Sequence, residues 1–192
     1  MKKKIIIISI VAAVLTIFTL YFNSRDNIKF KFSYESLNTI EDSNGKKIKV
    51  SVPLENRVKY VKSKELLELF KSGTGIVYFG YSSCPWCRNI VPILVDTIIE
   101  NDIDTLYYVD IHGNGLRQIK DELFEILEPY LRENDEGEKG LAVPDVYAIK
   151  KGKIIDHHIG TVPSYKNPYE GMTKKQKKEL KEIYTNLIEG IK

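Results

Sequence analysis

Residues 84–87 read C-P-W-C and hold both cysteines of a 192-residue chain, Cys84 and Cys87. A pair at this spacing can ligate a metal, staple a loop or carry electrons. A structural zinc site needs four ligands, and the candidates to complete one are His112, His157 and His158. His157 and His158 are adjacent in a predicted strand, so their side chains point to opposite faces and at most one can join the cysteines. A merely structural disulfide across two residues closes a tiny loop and constrains the unfolded chain little. Electron exchange suits the spacing. A thiolate at a helix N-terminus meets free N–H donors and the positive end of the helix dipole. Its pKa falls from ~8.5 into the range ~3.5–7.5. A second thiol one turn further in can then attack a mixed disulfide and release the substrate. A peptide-binding module whose thiols do not turn over stays open beside this reading, because a fold does not fix a function. The cysteine pair would itself be the redox centre, so neither an organic cofactor nor a metal is expected.

The elements that must position this pair are legible in the patterning. G-I-V-Y-F-G-Y (75–81) is a continuous apolar run of strand length, as in a central strand buried on both faces. It leads straight into S-S-C-P-W-C, where Pro85 suits the first turn of a helix. R-N-I-V-P-I-L-V-D-T-I-I-E continues that helix to about Asn101, with Pro92 as a kink. Before it, R-V-K-Y-V (57–61) reads as a strand, and Ser63 can cap a helix that stops at Gly73. I-D-T-L-Y-Y-V-D-I (103–111) is a third strand, so the order is that of a parallel βαβ core. Leu116, Ile119, Leu123, Ile126, Leu127, Tyr130 and Leu131 recur at the spacing of an amphipathic helix, and a solvated acidic turn, E-N-D-E-G-E-K-G, follows. Residues 145–150 and 153–160 form a hairpin about Lys151-Gly152. From Thr173 a helix places Leu180, Ile183, Tyr184, Leu187, Ile188 and Ile191 on one face.

Two segments lie ahead of this core. K-F-K-F-S-Y (29–34) and K-I-K-V-S-V (47–52) each alternate like half-buried strands, with an Asn44-Gly45 turn between them, which predicts a hairpin or extended stalk. Further upstream, Met1-Lys2-Lys3-Lys4 precedes an uncharged apolar run from Ile5 to Phe22. As a helix of roughly 27 Å it matches a bilayer's hydrocarbon core, and a buried soluble helix would keep a polar face. The lysines hold the N-terminus in the cytoplasm and send the rest of the chain outside. L-Y-F-N-S offers bulky residues where a signal peptidase wants small ones, so the run reads as an uncleaved anchor. Taking Lys2, Lys3 and Lys4 from the 29 basic residues leaves 26, equal to the 26 acidic ones. The external part is therefore formally neutral, which gives no support to nucleic acid as a partner.

The motif and element order together resemble the thioredoxin-like family over residues 57–192. The resemblance rests on C-P-W-C at a strand–helix junction, on C-R-N-I-V-P-I-L with a proline five residues past the second cysteine, and on A-V-P-D-V-Y-A-I-K-K-G-K-I-I-D. It implies an α/β thioredoxin-like fold, a central mixed sheet flanked by helices, preceded here by one transmembrane helix. It also implies that Cys84 attacks, that Cys87 resolves, and that Pro144 is cis and holds the Val143 backbone beside the cysteines to pair with an extended substrate. Trp86 would belong to the substrate surface, with Pro85 and Pro92 supporting the motif. Three departures stand out. Tyr78 occupies the position six residues before the first cysteine, where cytoplasmic thioredoxins bury an aspartate, and it reads here as a core residue. Asp145 follows the cis-proline where threonine is common, and C-P-W-C is closer to the C-P-Y-C of glutaredoxins. With the anchor, the insertion between Ile111 and Ala142 resembles Gram-positive thioredoxin-like proteins that include bacteriocin transport accessory proteins. The resulting expectation has three parts: an anchor (1–22), a linker or β-extension (23–56) and a thioredoxin-like domain (57–192). That domain would be an oxidoreductase on the outer face of a bacterial membrane. It would act on protein or peptide thiols and disulfides, served by a membrane redox partner.

Overall fold

The structure, a computed structural model, describes residues 25–113 and 116–192. The expected anchor at 1–22 lies outside these. Among the described residues, no helix is long and apolar enough to cross a membrane. Residues 25–35 are helical (α1). There follow β1 (Val58–Tyr60), α2 (Ser63–Lys71), β2 (Gly75–Gly80), α3 (Pro85–Glu100), β3 (Leu106–Asp110), α4 (Lys120–Leu127), β4 (Arg132–Glu133), β5 (Lys139–Gly140), β6 (Asp145–Lys150), β7 (Lys153–Ile159) and α5 (Lys174–Ile191). Five strands form one sheet in the order β1-β3-β2-β6-β7. β1 and β2 run parallel to β3, whereas β6 is antiparallel to both β2 and β7. This mixed sheet with helices on both faces fits a thioredoxin-like fold.

Strand alternation divides the core. On one face Ile76 and Tyr78 of β2 join α1, α3 and α5; on the other Val77 and Phe79 pack against α2 and α4. All six residues of β2 are buried, as a strand covered on both faces requires. α5 starts with a capping box in which the Thr173 hydroxyl accepts from the Gln176 amide and the Gln176 side chain accepts from the Thr173 N–H. α2 begins at Ser63 itself, with Lys62 in the cap position and no side-chain cap, so Ser63 does not take the role expected of it. The expected helix over 116–131 is shorter. It breaks into a 3₁₀ turn (Leu116–Gln118), α4 and a second 3₁₀ turn (Glu128–Tyr130). Pro129, which has no N–H to give, sits in that second turn.

The extension ahead of β1 is not a hairpin. Phe30 and Tyr34, four residues apart on α1, are fully buried, while Phe32 between them is 71% exposed. A stretch this short satisfies both periods, and the ring of Tyr108, 4.9 Å from that of Phe30, selects the helical one. The Asn44-Gly45 turn is present, with Asp42 Oδ1 accepting from the Asn44 and Lys46 N–H groups. Across that turn Lys47 makes a single antiparallel bridge to Glu41, and beyond it Val50 and Val52 pair with side chains instead of a strand. Asn38 both donates to the Val50 carbonyl and accepts from its N–H, each at 2.8 Å. Glu35 accepts from the Val52 N–H, and Lys31 donates to its carbonyl. A side chain can supply what a neighbouring strand would, and periodicity does not report it.

One buried cation ties this extension to α3. Arg88 is only 5% exposed. Its Nη1 donates to the carbonyls of Tyr34 (2.7 Å) and Ser82 (3.2 Å), and its Nη2 to Asn38 Oδ1 and the Ile48 carbonyl, both at 2.8 Å. Burial lowers the Arg88 pKa from its ordinary value, yet four oxygen acceptors shared between its two terminal nitrogens suit a guanidinium and not an ammonium. Arg88→Met is therefore expected to cost about 3 kcal/mol or more in urea denaturation of the full chain, since it leaves buried acceptors unpaired. Arg88→Lys should not rescue it. A loss within about 0.5 kcal/mol, as for an ordinary surface residue, would show that the clamp does not hold the extension.

Candidate functional site

Cys84 lies at the end of the short loop that leaves β2, its N–H donating to the Tyr81 carbonyl at 3.2 Å. It is the N-cap of α3, and its sulfur stands where a capping oxygen would, accepting the Cys87 N–H at 3.2 Å. Pro85 follows at the first helical position, where no donor is lost. Both cysteines are free thiols, and they differ in access: Cys84 keeps 3% of its surface exposed and Cys87 none. The difference extends to charge. The Cys87 thiol donates toward Cys84 and, with the N–H groups of Cys87 and Trp86 against the pull of burial, lowers the Cys84 pKa to about 7. Burial pushes Cys87 far above the ordinary thiol range, reinforced by its hydrogen bond to Cys84 and by the Cys84 charge. The Tyr81 backbone and the Tyr78 side chain pull Cys87 the other way. One thiol is thus ionised near neutrality and reachable, and the other is held protonated beneath it.

The remaining residues singled out from sequence fall around this pair. Trp86 is half-buried, its ring edge-on to Tyr165 at 5.7 Å, so only part of it faces outward. Pro92 sits inside α3, which continues through it to Glu100. The Val143–Pro144 peptide is cis. Asp145, the next residue, pairs across the sheet with Phe79 near the end of β2, which brings Pro144 to the same sheet end as the motif. Val143 is half-buried against both apolar clusters, and the Pro144 carbonyl accepts from the Gly160 N–H at 2.7 Å. Asp145 is 1% exposed and accepts from His157 Nδ1 at 3.1 Å. His158 faces Tyr184 instead, as side chains adjacent in a strand must diverge. Among the described residues, no three His, Cys, Asp or Glu side chains converge as metal ligands.

Beside Pro85 lies a cleft lined by Ser83 and Arg88 from the motif side, Ile40 and Ile48 from the extension, and Tyr169 from the loop before α5. Asn89 ties that loop to α3 by donating to the carbonyls of Pro85 (2.9 Å) and Pro168 (2.8 Å). Sequence reasoning missed Tyr34, Arg88 and Tyr165. For Arg88 a signal existed, because it follows the motif directly and is the only charged residue in the apolar helical run before Asp96, where a buried guanidinium needs acceptors. For Tyr34 and Tyr165 no local pattern announces a contact across the fold.

No protein-family profile matches the chain, and no curated protein does. Among solved structures, it is similar to thioredoxin O2 from Arabidopsis thaliana in the oxidized state, at 21% identity and a TM-score of 0.41 over 56% of this chain and 85% of that one. It is also similar to thioredoxin from Aeropyrum pernix, at 19% identity and a TM-score of 0.38 over 55% of this chain and 77% of that one. At these values the likenesses do not bear on chemistry.

Proposed function

We propose that the chain is a thiol–disulfide oxidoreductase with Cys84 as nucleophile and Cys87 as resolving thiol. The observation behind this reading is the inequality of two thiols one helical turn apart: Cys84 held near pKa 7 at a helix start, and Cys87 fully buried and raised. The thiolate is the nucleophile, and a pKa near ambient pH balances thiolate fraction against intrinsic nucleophilicity. Cys84 as thiolate attacks a substrate disulfide, forming one S–S bond and expelling one substrate thiolate. Cys87 then gives up its proton and attacks Cys84. The Cys84–Cys87 bond forms, the mixed disulfide breaks, and the second substrate sulfur leaves and takes a proton. Two electrons pass from the cysteine pair to the substrate, and the reverse sequence hands a disulfide to a substrate dithiol.

The substrate class is an extended protein or peptide segment. The backbone around Val143, at the same sheet end as the cysteines, would pair with it as an added strand, and the cleft beside Pro85 would take neighbouring side chains. The apolar run 5–22 behind its lysine triplet would anchor the domain on the outer face of the membrane, where a membrane protein would recycle the pair.

Two experiments test this. Cys87→Ser should accumulate mixed disulfides with partner proteins through Cys84, because no second thiol displaces them, whereas Cys84→Ser should trap almost nothing. Equal trapping by both variants would overturn the assignment, and none by either with peptide binding intact would favour a binding module without turnover. Protease added to intact protoplasts should release a soluble fragment containing C-P-W-C. Protection of that fragment would refute the outward orientation.

A further inference from the structure

Cys87 has no exposed surface, and burial disfavours the thiolate it must become. In the resolving step Cys84 is already tied to substrate, so the Cys84 charge and its hydrogen bond are gone. What stabilises a negative sulfur at Cys87 must then come from the Tyr81 backbone N–H and from the side chains beneath the motif. Those side chains are phenols. Tyr34, Tyr78 and Tyr108 are all essentially unexposed and share one apolar cluster with Cys84 and Cys87. The Tyr34 and Tyr78 hydroxyls are 2.9 Å apart. The Tyr108 hydroxyl is directed to the Gly80 carbonyl at 3.3 Å.

The Tyr78 side chain lies back along its own strand toward the cysteine loop. A Cβ at residue 80 would come within 2.3 Å of its hydroxyl oxygen, so only glycine there leaves room for it. Among the described residues, this hydroxyl is the one side chain other than Cys84 whose hydrogen bonding acts on Cys87. Burial holds Tyr34 and Tyr78 neutral, their pKa values well above the ordinary phenol value. They therefore serve as donors and not as bases.

We propose that Tyr78 is a positioning residue for Cys87. Its hydroxyl, 2.9 Å from that of Tyr34, turns its one proton to the Cys87 sulfur and holds the charge that this sulfur carries while it attacks the mixed disulfide. The proton lost by Cys87 ends on the departing substrate sulfur, so the phenols are unchanged over the step. Tyr34 belongs to α1, which makes the extension a component of the redox site. Its position is fixed at both ends, the carbonyl by Arg88 and the hydroxyl by Tyr78.

The proposal rests on the oxidoreductase reading, and one experiment separates them. Reduced full-length protein is mixed with 5,5′-dithiobis(2-nitrobenzoate) in a stopped-flow instrument across pH. The first thionitrobenzoate release reports attack by Cys84, and the second reports resolution by Cys87. The first phase should rise with pH and level off above pH 7, because Cys84 titrates at about 7. The second should rise about tenfold per pH unit below the Cys87 pKa, because only the thiolate attacks.

Tyr78→Phe keeps the ring and removes the donor. It should slow the second phase about tenfold or more at pH 7 and move its pH profile upward, leaving the first phase within about twofold. Tyr34→Phe, which leaves Tyr78 in place, should shift the second phase the same way by less. A second phase unmoved by Tyr78→Phe, or both phases slowed alike, would overturn the role of Tyr78 while the redox reading stands. Should Tyr78→Phe not fold, an unmoved second phase in Tyr34→Phe overturns the proposal. A wild-type protein that releases one equivalent and never a second would overturn both readings.

Discussion

The first turn of an α-helix leaves backbone N–H groups without partners, and here a sulfur accepts one of them. The Cys87 N–H donating to Cys84 Sγ at 3.2 Å caps α3 and stabilises a thiolate with the same contact. The surrounding architecture serves that geometry. β2 is buried on both faces, so its exit point is rigid, and the Tyr81 carbonyl fixes the Cys84 N–H immediately beyond it. Pro85 gives up no donor at the helix start, and nine buried residues of α3 hold the helix axis against the sheet and α5. A shift of this junction would move the sulfur off its donors and remove the difference between the two thiols.

The polar structure beneath the junction is unusual for a core. A guanidinium with four oxygen acceptors and a pair of phenols lie where apolar side chains would pack more cheaply. Buried polar groups of this kind are tolerable only when partnered. Arg88 meets that condition through backbone carbonyls and Asn38, one of the carbonyls being that of Tyr34, and the Tyr34 hydroxyl meets it through Tyr78; together they bind residues 25–52 to α3 and β2. The extension thus contributes side chains to the same core as the cysteines, with Phe30, Tyr34, Val50 and Val52 all nearly or fully buried. That arrangement also builds one wall of the cleft beside Pro85 from Ile40 and Ile48.

The C-P-W-C motif at a strand–helix junction, the strand before it, the helix after it and the closing hairpin are all legible in the sequence. Each is a local signal: an apolar run, a proline at a helix start, an amphipathic face or a turn glycine. The extension is not legible in the same way. K-F-K-F-S-Y alternates over too few residues to separate strand from helix, and the outcome depends on Tyr108, more than seventy residues downstream. Residues 47–52 alternate like a strand, yet the backbone hydrogen-bond partners of Val50 and Val52 are the side chains of Lys31, Glu35 and Asn38. Tyr78 reads as a core residue and is fully buried, yet nothing in its sequence neighbours shows that a second buried hydroxyl meets its own. The insertion after β3 reads as one helix because its apolar period is regular, and Pro129 limits it.

The central claim is that Cys84 and Cys87 exchange two electrons as a unit, which a redox titration of the full chain against glutathione buffers measures directly. Alkylation of the remaining thiols followed by mass spectrometry counts the species at each potential. The account predicts a single transition between the dithiol and the internal disulfide, which differ by two hydrogens. Its midpoint should lie within the range of about −120 to −270 mV spanned by Cys-x-x-Cys oxidoreductases. A stable glutathione adduct on Cys84 in the wild-type chain, with no internal disulfide formed at any potential, would contradict it.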